Sequence, residues 1–314
     1  MKILITSYKN PDLDGVACTY AYTEFLYATY KDVVGAISGS PHIEAQFVLD
    51  KFNITSLENA EKIINNIERI ILVDTSDIKN LSDQIQSHKV IEIIDHRKVN
   101  EANKFPNAKI QIDLVGAAST LIAEKFYNSQ VRISPESAAL LFSAIISNTI
   151  NFKANTTTPR DKKMANWLKT KFPLPKNYVK EMFTYKSKFK KNLREPITDE
   201  FVVFNFKGLS LGIAQLEIIN VDDFTKFNII EIKKILKDLK KEKSLDFIFL
   251  TCIDLEKAFN TIIIIDEGTS NLLSQILKMN FENGIARRNG IIMRKEITPL
   301  IQDLDDGIKL FYRE

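Results

Sequence analysis

Short apolar runs broken by polar turns recur along the first half of the chain. Ile3-Leu4-Ile5-Thr6 runs straight into Asn10-Pro11-Asp12-Leu13-Asp14-Gly15. Similar runs predict strands over 33–38, 69–73, 89–94 and 109–112. Between and after them, longer stretches with helical spacing predict helices over 15–31, 43–51, 57–66, 81–86, 117–127, 135–147 and 159–171. Strands alternating with helices imply an α/β domain with a mostly parallel sheet covered on both faces.

The pattern changes at 185–200, which is polar and basic, contains Pro196 and loses its apolar spacing after Phe189. It reads as a linker with helix at its start. Beyond it, strands are predicted over 201–206, 211–216, 245–252 and 261–266, with helices over 227–242 and 270–278. A last strand over 290–293 is predicted just before Arg294-Lys295. The organisation is a first domain over 1–186, a linker over 187–199 and a smaller mixed α/β domain over 200–314, without internal repeats.

A chain of 314 residues is long enough for a core in each half. The net charge of +3 gives no case for a nucleic-acid footprint or a membrane surface. Cys18 and Cys252 stand alone in apolar surroundings and read as buried thiols in a reducing compartment. No apolar run nears the roughly 20 residues that span a bilayer. The opening residues reach a polar turn too early for a secretory leader, so a cytoplasmic location is expected. Histidines number three, at 42, 88 and 96, so imidazole chemistry has few sources.

Acids stand at three strand ends: Asp12 and Asp14 after the first, Asp74 in ILVDTSD, and Asp95 with His96 in IEIIDHR. Parallel strands place such ends on one sheet edge, where open α/β sheets bind ligands. Clustered carboxylates repel and raise one another's pKa values, and a bound cation removes that cost. Oxygen-rich sites with one imidazole suit Mn or Mg, which serve phosphoryl hydrolysis. Singly, each residue has a plainer reading. Asp12 is a turn residue, Asp74 a helix cap, and His96 a surface residue or one with its hydrogen bonds satisfied.

The segments NPDLDGVACTYAY, ILVDTSD, IEIIDHR, LVGAASTLIAEKFY, AALLFSAIISNTINFKANTTTPRD and GIIMRKEITPLI extend from residue 3 to about residue 301. In that order they resemble the DHH phosphoesterase superfamily, most closely the family II, manganese-dependent inorganic pyrophosphatases. The resemblance implies two domains with the active site in the cleft between them, the first binding metal and the second gripping phosphate. Asp12, Asp14, Asp74 and His96 match metal ligands, and Asp95 supports them in the DHH motif. Tyr8 stands where the family has a histidine ligand, Asn148 where it has an aspartate, and Arg97 where it has the second histidine of its name. Asn148 keeps an oxygen without the charge. Tyr8, whose phenol titrates near 10, is a poor substitute for a nitrogen donor. One well-formed Mn2+ or Mg2+ site and one weakened site are therefore expected. Prune-type proteins, also relatives, carry DHR as this chain does.

The resemblance assigns catalysis to Asp14, His96 and Arg97. Phosphate binding falls to Arg97, Arg294 and Lys295. Lys207 is a shifted substitute for a family lysine whose position here is Leu209 or Ser210. The implied activity is divalent-metal-dependent hydrolysis of a phosphoanhydride (pyrophosphate or short polyphosphate) or a related phosphoester. The alternative is a degenerate homologue that binds phosphorylated ligands with little catalysis. Expected partners are a small phosphorylated substrate and, as an open alternative, a second copy of the chain; neither nucleic acid nor membrane is expected.

Residues 114–120 read either as a tight helix entry or, by the resemblance, as a turn near the active site whose amides could meet an anion. His42 reads as a surface residue, Trp167 as packing on a helix face, and Lys186, Lys188, Lys190 and Lys191 as a solvated patch.

Overall fold

β1 (Ile3–Thr6) is buried along its whole length, as a strand covered on both faces must be. It is followed by α1 (Leu13–Tyr27), β2 (Val33–Ile37), α2 (Ile43–Lys51) and the two-residue β3 (Glu58–Asn59). β4 (Arg69–Val73), β5 (Val90–Asp95) and β6 (Lys109–Ile112) complete a six-stranded sheet. After these come α3 (Ala118–Ser129), α4 (Pro135–Asn148), α5 (Pro159–Leu168) and α6 (Tyr178–Lys186). This computed structural model describes residues 2–28, 32–98, 100–188 and 192–302. Met1–Tyr185 forms one unit and Lys186–Glu314 another.

The first sheet is parallel throughout, in the order β3-β2-β1-β4-β5-β6. Its register pairs Thr6 with Leu72 and Val73 with Ile94. The chain therefore leaves β1, β4 and β5 on the same edge, carrying the acidic turns with it. Gly15, in the first turn of α1, lets the helix start close to β1. A Cβ there would lie 2.9 Å from Ser7 Oγ and 3.0 Å from Pro11 Cβ. α1 packs against α3 and α4. Every residue of α4 from Ser137 to Ser147 is buried, the mark of a helix packed on all sides.

The entry to α3 is tied to α5 by Asp161. Thr158 and Asp161 form a capping box with Pro159 in the first turn. The buried Asp161 carboxylate also accepts from Gly116 N at 3.0 Å and Thr120 Oγ1 at 2.6 Å. Gly116 is required by space, because a Cβ would sit 2.5 Å from Thr149 Cγ2.

Two helices expected from the sequence in this unit do not form. Over 57–66, Glu58–Asn59 pairs with β2, and only single 3-10 turns, Ala60–Lys62 and Ile64–Asn66, follow before β4. The apolar spacing is real, since Ala60, Ile64 and Ile67 enter one core cluster, but too few residues remain for an α-helix. Likewise 81–86 is turn and coil, flanked by the 3-10 turns Ile78–Asn80 and Ser87–Lys89.

The second unit holds α7 (Arg194–Asp199), β7 (Phe201–Phe206), β8 (Leu209–Ile218), α8 (Val221–Glu242), β9 (Phe247–Asp254), β10 (Phe259–Ile264), α9 (Glu267–Leu277), β11 (Ile285–Asn289) and α10 (Arg294–Gln302). Its mixed sheet runs β11-β10-β9-β8-β7, with β8 and β9 parallel and the other neighbours antiparallel. Alternate strand residues face two cores. Leu216, Ile248 and Leu250 meet α8 through Ile232, Ile235 and Leu236. Ile213, Phe247 and Phe249 meet Leu272, Leu273, Ile297 and Ile301 of α9 and α10.

Within the stretch read as linker, Leu193 and Ile197, four residues apart, insert into the α8 core, so α7 is packed structure. The strand expected over 290–293 lies earlier, as β11. Within 290–293, Gly290 makes only an isolated bridge to Phe259, and Ile292 pairs with the side chain of Asn260. Its Oδ1 accepts from Ile292 N at 2.9 Å and its Nδ2 donates to Ile292 O at 2.8 Å. Arg294 and Lys295 open a helix. No helix among the described residues is long and apolar enough to cross a membrane.

Removing the Asp161 carboxylate strands several buried donors at once. Asp161→Ala should destabilise the first unit by about 2–4 kcal/mol in urea unfolding. A loss below about 1 kcal/mol would mean that these bonds do not hold the α3 entry.

Candidate metal centre

Asp14 is fully buried in the first turn of α1. Its Oδ2 accepts from Ala118 N at 2.8 Å and its Oδ1 from Ser119 N at 2.8 Å. These amides begin α3, a helix with no side-chain cap of its own. The anion that meets the amides of the 114–120 turn is thus a carboxylate of the chain itself. Asn148 Nδ2 donates to Asp14 Oδ2 at 2.7 Å, and Cys18 Sγ lies 3.5 Å from Oδ1. Burial, followed by the charge of Asp74, pushes the Asp14 carboxyl up to about 7 in the absence of a cation.

Asp74 leaves β4 with a φ of +54°, while its N–H still donates to Ile94 O at 2.8 Å. A left-handed non-glycine residue costs roughly 1 kcal/mol or more. Asp74 Oδ1 lies 3.5 Å from His96 Nε2, and Asp14 Oδ2 lies 4.0 Å from the same nitrogen. His96 Nδ1 is 2.9 Å from Val115 O. A carbonyl only accepts, so Nδ1 carries the proton and, in the neutral ring, Nε2 presents its lone pair to two carboxylates. Lone pair and anions repel unless a proton or cation sits among them. Ligand atoms of Asp14, Asp74 and His96 all lie within 4.8 Å of one another, a donor set that fits one divalent cation.

Asp95 holds the turn that presents His96. Its Oδ1 accepts from His96 N at 2.7 Å, and Oδ2 accepts a short bond from Ser76 Oγ. Arg97 Nη1 is 3.9 Å from Asp95 Oδ2, and Nη2 is 3.9 Å from Asp74 Oδ1. The guanidinium also lies over the Tyr8 ring, 5.4 Å from its centroid. Burial works against the charge of Arg97, but Asp74 and Asp95 outweigh it and hold the pKa above its ordinary value. Burial, then Asp12 and Asp74, push the Tyr8 phenol well above its ordinary value, so it stays neutral. The Tyr8 hydroxyl accepts from Asp12 N at 3.0 Å.

Asp12 is not part of the donor trio. Its Oδ1 caps α1, accepting from Asp14 N at 2.8 Å and Gly15 N at 3.0 Å. Asn148 turns its amide nitrogen, not its oxygen, toward Asp14. In the second unit, Arg294 N donates to Gln215 Oε1 at 2.7 Å, and its guanidinium bonds Glu200 O and lies 3.6 Å from Glu200 Oε2. Lys295 is exposed in the first turn of α10. Lys207 has a φ of +47° and Gly208 one of +79°, forming the tight turn between β7 and β8.

His42 is half-buried just ahead of α2, and its N–H donates to Pro11 O at 2.9 Å. Trp167 packs edge-on against Tyr127. Lys186 pairs with Glu217 at 2.7 Å, while Lys190 and Lys191 lie outside the described residues.

Three supports escape sequence reasoning: the Val115 carbonyl, Ser76 and Asp161. Only Asp161 has a readable signal, the Thr158-Pro159-Arg160-Asp161 capping box.

Comparison with known proteins gives a coherent set of relatives. The DHH family, N-terminal domain, matches residues 2–145. A manganese-dependent inorganic pyrophosphatase of Methanothrix thermoacetophila is 30% identical over 314 residues, covering 96% of this chain and 97% of that protein. A "probable manganese-dependent inorganic pyrophosphatase" of Clostridium acetobutylicum is 27% identical, over 96% and 98% of the two chains. Among solved structures, a Methanococcus jannaschii protein assigned to the family II inorganic pyrophosphatases superposes with a TM-score of 0.77 at 28% identity, covering 96% of this chain and 98% of that one. An exopolyphosphatase-related protein of Bacteroides fragilis, 14% identical with a TM-score of 0.51, shares the fold. With this shared fold and near-complete coverage, the chain belongs to the DHH family, among the relatives of the family II inorganic pyrophosphatases.

Proposed function

We propose that this chain hydrolyses a phosphoanhydride, inorganic pyrophosphate or short polyphosphate, with Mn2+ or Mg2+ as cofactor. The observation that carries the reading is the meeting of the His96 Nε2 lone pair with the carboxylates of Asp14 and Asp74. Those three residues would hold the cation, with Asp95 fixing the turn that carries His96. The relatives named for manganese and pyrophosphate support the choice of metal and substrate.

When bound, the cation supplies Lewis acidity that activates water and screens phosphate oxygens. The chain's own residues do the rest. The α3 amides hold Asp14 in place and favour its ionised form. Arg97 directs a guanidinium, suited to two phosphate oxygens, from a side chain that is 30% exposed. Arg294 and Lys295 in the second unit are assigned to the phosphate groups; Lys207 is not, because it turns the chain at the end of β7 opposite Glu200 and Arg294. Two buried free thiols suit a reducing cytoplasm.

Purified protein given pyrophosphate and Mn2+ should release phosphate, and His96→Ala should lower kcat/KM by about 100-fold or more. Equal phosphate release by the variant and its parent would remove His96 from the chemistry. Lys295→Ala should raise KM by about tenfold at unchanged Mn2+ affinity. A parallel loss of metal binding would show that Lys295 is not a phosphate contact.

A further inference from the structure

The carboxylates of Asp12, Asp14 and Asp95 accept hydrogen bonds from the chain itself. Asp12 takes two amides of α1; Asp14 takes two of α3 and the Asn148 amide; Asp95 takes Ser76 and His96 N. Asp74 Oδ1 lies between two positions suited to positive charge. One is the trio, reached through His96 Nε2 at 3.5 Å, and the other is the Arg97 guanidinium at 3.9 Å.

Arg97 is held in that position. It is flanked by Asp74 and Asp95 and lies over the Tyr8 ring, whose hydroxyl is fastened to Asp12 N. A cation over an aromatic face between two carboxylates is a stable arrangement. The same arrangement disfavours another ion on this side of Asp74. Tyr8 offers a neutral phenol in place of a nitrogen, and the guanidinium repels a second positive charge.

We propose that Arg97, seated on Tyr8, is a permanent second cation built into this centre. The chain takes one divalent ion, at Asp14, Asp74 and His96, and presents the guanidinium fork to the oxygens of a terminal phosphate group. This rests on the phosphoanhydride reading for its ligand, but its ion count stands apart from activity.

The test uses the full chain, stripped with a chelator and titrated with Mn2+ alone, with free ion followed by electron paramagnetic resonance. The native protein should bind one ion per chain, and the Tyr8→His, Arg97→Gln double variant should bind two. Two ions on the native chain, or one on a folded double variant, would overturn the proposal. No ion on the native chain would remove the cation-dependent function along with it. Should the double variant not fold, Arg97→Lys keeps the charge and loses the fork. It should bind imidodiphosphate, a non-hydrolysable pyrophosphate analogue, about tenfold more weakly at an unchanged ion count; equal affinity would overturn the proposal.

Discussion

Like charges forced together on one edge of a parallel sheet are the constraint on which the first unit depends. The register of β1, β4 and β5 delivers Asp12, Asp14, Asp74 and Asp95 to that edge. Carboxylates so close oppose folding unless each finds compensation. Two helix N-termini contribute. α1 turns its first amides onto Asp12, and α3, which lacks a cap of its own, turns its amides onto Asp14. The arrangement couples fold and chemistry, because the bonds that complete α3 also aim a carboxylate at His96.

Support continues outward from those bonds. Asp161 ties the α3 entry to α5, and the Val115 carbonyl in the same loop sets which nitrogen of His96 bears the proton. One loop therefore positions both Asp14 and His96. A glycine at 116 is the steric condition for it, since a side chain there would collide with Thr149 and Asp161. Arg97 and Tyr8 close the other side of Asp74. A guanidinium whose charge does not titrate near neutrality stands there beside the donors for a metal.

Much of this was legible in the sequence. β1, β4, β6 and β7 fall on their predicted residues because short apolar runs between polar turns leave little freedom. Asp14, Asp74 and His96 were legible because each follows such a run. Helical spacing over 57–66 misled, since pairing of Glu58–Asn59 with β2 decided that segment. The strand expected over 290–293 did not form, since Gly290 makes only an isolated bridge and Ile292 pairs with one side chain, Asn260. The His96–Val115 bond had no signal, because a backbone carbonyl carries no residue identity. The Asn148 amide was legible as a residue, but not in its orientation. The part played by Asp12 in capping α1 was open to reading from its place before the helix.

The central claim is that His96 carries a ring proton on Nδ1, facing Val115 O, and turns Nε2 toward a cation shared with Asp14 and Asp74. The most direct test is nitrogen-15 NMR of the histidine rings in the full chain, titrated with diamagnetic Mg2+ or Zn2+. Three histidines make the assignment simple. The account predicts that His96 holds its proton on Nδ1 throughout and that only its Nε2 resonance moves as the cation is added, while His42 and His88 stay fixed. A His96 ring protonated on Nε2 in the cation-loaded protein, or one indifferent to the cation, would contradict it.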